Sequence, residues 1–348
     1  MKDKEFGYAM KALRMVIRRE WHRMTSRRLY LGVCVVLPLL CLFFMATIFG
    51  NGQMENIPVG IVDLDNTATS RNISRRISAA PTFRVTEHFT DEADARRALQ
   101  QKDIYGYLVI PPRFEQKAVT GTGATLTYYY HYALLSVGSE LMAAFENTLA
   151  PVALSPIVMQ AEALGVSGEQ IQTFLLPVEA STHPLYNPDM DYSIYLSQPF
   201  FFVLFQILIL LTTVYSIGSE LKFGSAGEWL EMARGNILTA VAGKLLPYTL
   251  IFSSIGILAN YVLFGPLHIP FAGSLWLMNA VTVLFIIATQ ALAVFIYSVF
   301  PKIAYIISVV SMVGSLGATL SGVTFPVTAM YAPVHAASYL FPVRLSLI

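Results

Sequence analysis

Hydrophobic positions along this chain fall into three regimes. Between residues 6 and 24 they recur at three- and four-residue spacing (Phe6, Met10, Leu13, Ile17, Trp21, Met24), with Lys11, Arg14, Arg18 and Arg23 on other faces. That is the pattern of an amphipathic helix lying on a membrane surface. Uncharged runs long enough to cross a bilayer follow at 29–49, 192–219, 245–264, within 271–300 and at 303–321. Between the first two runs lies one long polar region, in which 57–64, 83–89, 105–110 and 124–132 read as strands from β-branched and aromatic enrichment, and 67–79, 91–101 and 134–164 as helices. The expected fold is therefore an α-helical polytopic membrane protein. It has an amphipathic elbow helix at 1–28, a first span at 29–50, an inserted extracytoplasmic α/β domain with a helical arm at 51–191, and spans 2–5 within 192–321 around a polar cytoplasmic loop at 220–236. In the remaining stretch, 322–348, Pro326, Pro333 and Pro342 break an apolar sequence into short pieces. The expectation there is a re-entrant segment in the outer leaflet, tolerated where its free backbone groups are buried in protein or line a cavity. Five crossings are visible, and a sixth span is expected.

Charge orients this arrangement. Residues 1–28 hold nine Lys or Arg against three acids, and 21 uncharged residues follow. That run is too long for a signal-peptide core and no small-residue cleavage site follows it, so it reads as a retained span with the amino terminus in the cytoplasm. The inserted domain carries nine basic residues of its own, which long domains tolerate on either side. A composition of 55% hydrophobic and 13% charged residues, against roughly 25% charged in soluble domains, argues against a soluble fold. The net charge of +1 averages these regions and points to no nucleic-acid partner. Cys34 and Cys41, seven residues apart on one helical face, read as packing residues rather than a redox pair.

The membrane block also constrains chemistry. No Asp or Glu follows Glu231, whereas ion-coupled transporters and intramembrane hydrolases need titratable groups at membrane depth. No phosphate-cradling loop is present; Gly243-Lys244-Leu245 lacks both the hydroxyl residue and the earlier glycine, and Lys244 reads as a snorkelling residue at the inner end of the third run. Energy for uphill movement would have to come from a partner. Asp63-Leu64-Asp65-Asn66-Thr67 matches the D-x-D-x-T pattern of haloacid-dehalogenase phosphatases, but no acidic pair follows in a strand-end context, since Asp189 and Asp191 abut a span. The alternative is a strand end at which Asp65, Asn66 or Thr67 caps the helix from Ala68. His88, His131 and His183 lack metal-ligand spacing and read as surface histidines. Tyr128, Tyr129, Tyr130 and Tyr132 read as strand packing, with a partner surface as the alternative. Gly314, Gly317, Ala318, Ser321 and Gly322 form overlapping small-x-x-x-small pairs, suited to close packing within the chain or across a dimer.

Three segments, taken in order with the topology, resemble the permease subunit of a bacterial ATP-binding cassette transporter of the type-2 exporter class, in its two-component form. They are Val59-Gly-Ile-Val-Asp63-Leu-Asp65-Asn66; Glu220-Leu-Lys-Phe-Gly224-Ser225 with Glu228-Trp229-Leu230; and Ser321-Gly322-Val-Thr-Phe325-Pro326 with Met330 and Pro342. The resemblance implies a chain without catalytic residues, cofactor or metal of its own, with ATP and Mg on a partner ATPase subunit. It further implies a second permease copy, as homodimer or paralogous heterodimer, a multi-pass location in the bacterial inner membrane, and a periplasmic adaptor as a further expected partner alongside membrane lipid. The expected substrate is amphipathic or hydrophobic: a drug, lipid or lipid-linked compound. In the loop, Gly224 and Gly227 interrupt the helix and 226–234 restarts it along the membrane surface, with Trp229 and Leu230 as exposed apolar anchors among Glu220, Lys222, Glu228, Glu231 and Arg234. The resemblance implies that this helix couples to the ATPase; an interfacial turn is the plain alternative. A membrane-anchored scaffold or receptor whose inserted domain binds a partner is the competing function. A secondary transporter is disfavoured by the uncharged spans and by the lack of a visible inverted repeat.

Overall fold

In the computed structural model, residues 2–48, 54–120, 122–163, 187, 191–323 and 325–346 are described; His183 and Asp189 lie outside them. The chain divides into two compact units, Gln53–Asp189 and the remainder, Met1–Gly52 with Met190–Ile348.

The inserted unit is built on a four-stranded sheet of order β2-β1-β3-β4, with β1 Ile57–Asp63, β2 Phe83–Phe89, β3 Gly106–Ile110 and β4 Thr127–Tyr130. The first three strands are parallel and β4 runs antiparallel to β3. Because β1 and β3 are covered on both faces, they are apolar almost throughout. One face packs Val59, Ile61 and Leu108 against helices Ala68–Ala79 and Leu135–Ala163. The other packs Val62, Tyr107 and Val109 against Ala95 of helix Glu92–Gln101. A glycine is required at position 60, where a Cβ would lie 2.5 Å from the Phe89 ring.

The D-x-D-x-T segment is consumed by local structure. Asp63 Oδ1 accepts from the backbone N–H groups of Asp65 and Asn66, both at 3.0 Å. Thr67 caps Ala68–Ala79 in a capping box with Ser70. Asp65 instead caps a short helix that the sequence pattern does not announce, Phe114–Thr120, by accepting from Phe114 N at 2.9 Å and Glu115 N at 3.0 Å. Burial works against ionisation of Asp65, but the Thr67 hydroxyl and the backbone N–H groups of Glu115, Phe114 and Arg113 outweigh it and hold the carboxyl below its usual range. Tyr128 stacks on Phe145 and Tyr107 on Tyr129, so the tyrosine stripe divides between the two sheet faces, leaving Tyr129 and Tyr132 exposed.

The other unit holds the elbow helix Lys2–Ser26 and five helices long and apolar enough to cross a membrane. Span 1 is α-helical over Arg28–Leu31 and Leu37–Ile48, with a π-helical turn between them at Gly32–Val36. Spans 2 to 5 are Tyr192–Lys222, Ile237–Phe264, Leu275–Val299 and Ile303–Leu320. Span 2 is the central post. Its most apolar window is 67% buried within the chain, against 28% for span 1 and 22% for span 5, so the latter two keep most of their surface for lipid or another subunit. Phe201, Phe202, Phe205 and Ile209 of span 2 meet Tyr248, Phe252 and Ile255 of span 3, Phe285 and Ile286 of span 4, and Cys34 and Leu42 of span 1. Spans 3 and 4 are joined by hydrogen bonds from Thr249 to Gln290 (2.7 Å) and from Asn260 to Asn279 and Thr282 (both 2.9 Å).

The small residues of span 5 pack inside the chain. A Cβ on Gly314 would lie 2.6 Å from Ile207 of span 2, and one on Gly317 would lie 2.7 Å from the Gln206 amide and 3.0 Å from Phe341. Ser321 is buried beside them, Ala318 is half-buried, and Gly322 turns the chain at φ +96°. After this turn the polypeptide forms three short helices, Val327–Ala329, Ala332–Ser338 and Pro342–Ser346. Phe325 and Pro326 are exposed and Met330 is half-buried. The segment is pinned where it returns, because the Val343 N–H donates to Gln206 Oε1 at 2.8 Å and the Arg344 guanidinium stacks 3.7 Å over the Tyr339 ring.

Candidate functional site: a buried charge lock behind the polar loop

The elbow helix buries a stripe at four-residue spacing, Ala12, Val16, Glu20 and Met24, each 1% exposed. Its fit against span 3 is close, since a Cβ on Gly243 would lie 2.9 Å from Val16. The apolar stripe read from periodicity is offset from this one, and its Met10 and Trp21 are about half exposed. The contact stripe escapes a hydrophobicity pattern because one of its members is a carboxylate.

Glu20 is buried because its charge is met. Lys244 Nζ donates to Glu20 Oε2 at 2.6 Å and to Glu220 Oε1 at 2.7 Å, and the Tyr248 hydroxyl donates to Glu20 Oε1 at 2.6 Å. On the neighbouring ridge of the elbow helix, Arg19 grips Glu220 with two parallel bonds, 2.7 Å to Oε1 and 3.0 Å to Oε2. Arg23 also donates to Glu220 and reaches Ser219 Oγ at 2.9 Å, while the Ser225 hydroxyl closes on the same carboxylate. Ser219 lies 3.3 Å from the Tyr30 hydroxyl of span 1. Glu220 and Lys244 are fully buried. The Glu220 hydrogen bond outweighs desolvation at Arg19 and raises its pKa above the ordinary arginine value, so that guanidinium stays charged. Three cations and two carboxylates thus join the elbow helix, span 2, span 3 and the start of the loop, with a tyrosine from span 1 at the margin.

The loop itself turns at Gly224 (φ +69°), forms the helix Ala226–Met232, turns again at Gly235 (φ +75°) and enters span 3 through Asn236, whose side chain accepts from Leu238 N and Thr239 N. Trp229 faces inward. It is 6% exposed, packs with Val16, Ala233 and Ala240, donates its indole N–H to the Ala240 carbonyl at 3.1 Å and lies under Lys244 Nζ at 5.3 Å.

Among known protein families, the model of the ABC-2 family transporter proteins matches residues 28–345. The chain belongs to the ABC-2 transporter family. No curated protein and no solved structure matches it.

This membership makes the chain a component of a polytopic membrane transporter family, and two readings of the loop change against the geometry. Trp229 is not an exposed anchor of the ABC-2 chain's loop, because its ring completes the packing between loop helix, elbow helix and span 3. Glu220 is likewise not a surface residue of the loop but the hub of the lock. Glu228 and Leu230 do face out, with Phe223, Gly227 and Glu231. Lys244 does not snorkel: span 3 begins at Ile237, so the lysine sits two turns inside it and finds acids there rather than headgroups. Arg19, Glu20, Lys244 and Tyr248 were missed as a site. The available signal was a lysine at the inner end of an apolar run, a position that demands a partner when it is buried. No group of His, Cys, Asp and Glu suited to a metal occurs among the described residues.

Proposed function

We propose that this chain is the permease subunit of an ATP-driven exporter in a bacterial inner membrane, working as a dimer, with its amino terminus in the cytoplasm and its energy supplied by a separate ATPase subunit. The observation that carries the reading is the lock. A force applied to the exposed face of the loop, at Glu228, Leu230 and Phe223, enters a helix whose inner face is fastened by Trp229 and whose preceding turn is fastened by Glu220. Because the elbow helix and spans 2 and 3 share those fastenings, they move with the loop as a body, and closure of the ATPase tilts the membrane helices together. Substrate is amphipathic or hydrophobic, in keeping with spans whose polar groups, apart from the lock and Arg28 and Lys222 at the span ends, are uncharged. The experiment is co-purification and ATP turnover of the permease with its cognate ATPase, comparing the native chain with Glu228→Ala/Leu230→Ala. Both residues are exposed, so the variant folds normally, and capture and turnover are expected to fall together. Unchanged capture and turnover would refute a docking role for this face.

A further inference from the structure

The elbow helix and the residues that follow it carry more basic side chains than form ion pairs among the described residues. Inside the lock, Arg19, Arg23 and Lys244 are paired with Glu20 and Glu220. Outside it, Arg18 and His22 of the elbow helix, Arg27 just after it and Lys222 at the end of span 2 form no ion pair with any Asp or Glu among the described residues. Arg18, His22 and Arg27 are distributed along two clefts, of about 370 and 500 Å³, that share Arg19 and His22. The first opens between Arg27 and Phe223, and the second reaches Arg18 between Met15 and Met232. Phe223 is 55% exposed, with the Arg27 guanidinium 5.3 Å and the Lys222 ammonium 5.8 Å from its ring centroid. Two cations thus gather at one exposed ring, and neither forms an ion pair among the described residues.

We propose that these two clefts hold the headgroups of anionic phospholipid. A phosphodiester is drawn by the charge of Arg27 in the first cleft and of Arg18 in the second. Met15 and Met232 line one cleft and Phe223 the other, and Leu29, Val36 and Leu40 of span 1 are exposed, which gives acyl chains apolar surface near the basic groups. Basic residues directly preceding an apolar span are where anionic lipid concentrates. Fixing the elbow helix from its outer side complements the lock that fixes it from within, so the lipid holds the lever against which the loop works. The inference rests on the proposed cytoplasmic amino terminus, which sets the elbow helix at the inner leaflet. An acidic face of the ATPase is the rival occupant, and it differs from a lipid in needing no apolar rim.

The test is native mass spectrometry of the full-length chain, delipidated in detergent and titrated without the ATPase. Phosphatidylglycerol is compared with phosphatidylcholine of matched chains, for the native protein and for Arg18→Gln/Arg27→Gln. Both arginines lie outside the lock, so thermal unfolding of the variant should match the native chain, and Arg18→Lys/Arg27→Lys serves as the charge-retaining control. The expected result is preferential phosphatidylglycerol binding that weakens about 10–30-fold in the glutamine variant, from the loss of two surface cations. Phosphatidylcholine should be unchanged and the lysine variant largely unaffected. Equal binding of the two lipids by the native chain, or an undiminished preference in the glutamine variant, would overturn the proposal. So would a glutamine variant that keeps its lipid but loses the ATPase in a separate capture assay, which would give the clefts to the partner. Failure of the native chain to capture any ATPase would sink the exporter reading while leaving the lipid titration intact.

Discussion

Replacing Lys244 by methionine tests the lock at its centre. The side chain keeps its length and packing but loses a charge that is fully buried between two carboxylates, at 2.6 Å from Glu20 and 2.7 Å from Glu220. At an effective dielectric of about 20, a pair at the first distance attracts with about 6 kcal/mol, against a desolvation cost of several kcal/mol per ion. The pair's net contribution is therefore small. Breaking it from one side is not, because Glu220 keeps Arg19 and Arg23 whereas Glu20 keeps only the Tyr248 hydroxyl. A buried carboxylate stripped of its cation costs about 3–5 kcal/mol, a fall of about 6–10 °C in unfolding midpoint for a chain of this size. The companion Glu20→Gln/Lys244→Met removes both charges and should recover most of the loss, to within about 2 kcal/mol of the native protein. The assay is thermal unfolding of the detergent-purified chain at one fixed scan rate, since membrane proteins unfold irreversibly and the midpoint is a kinetic quantity. A Lys244→Met variant as stable as the native chain, or a double variant less stable than the single, would refute the lock.

Trp229→Ala should lower the unfolding midpoint of the permease before any ATPase is added, by the roughly 3–5 kcal/mol of a large buried side chain, whereas Glu228→Ala/Leu230→Ala should leave it unchanged; equal midpoints for the two variants would contradict the inward placement of the indole. Gly314→Val, aimed at Ile207 from 2.6 Å, should cost about 1–3 kcal/mol in the same assay without altering the oligomer found by light scattering, and a variant of native stability that dissociates would move this face to a subunit interface. Asp65→Ala should speed amide exchange over 114–120 at neutral pH, in line with the loss of a helix cap worth about 0.5–2 kcal/mol. Because the folded Asp65 pKa lies below the unfolded value, its contribution is fully present above about pH 4 and disappears as pH falls through the lower folded value; the difference between native and variant, corrected for intrinsic exchange, should close there, and a gap that widens toward acid would contradict the assignment.

Much of the architecture was legible in local pattern. The strand at Phe83–Phe89 and the helix at Ala68–Ala79 follow from β-branched and aromatic enrichment and a capping residue, and the five apolar runs follow from the length a bilayer demands. Such features depend on neighbours within a turn or two, which periodicity records. The helix Phe114–Thr120 was not legible, because its cap, Asp65, is about fifty residues away across the sheet. Composition also established that the spans after Glu231 carry no acid. It did not disclose where the buried charge is, since the acids that Lys244 needs lie on a helix read as a surface element and at the end of another span. Ion pairing across 224 positions of sequence leaves no mark on hydrophobic periodicity. Trp229 illustrates the same limit from the apolar side: a tryptophan in a polar loop has one appearance in sequence whether it meets lipid, a partner or its own chain. Its neighbours in space, Val16 and Ala240, come from either side of it in sequence and are brought together by the packing of the elbow helix on span 3 at Gly243. Local composition specified the helices, the strands and their order; long-range packing and the cost of burying unpaired charge selected which faces meet, and through them the site.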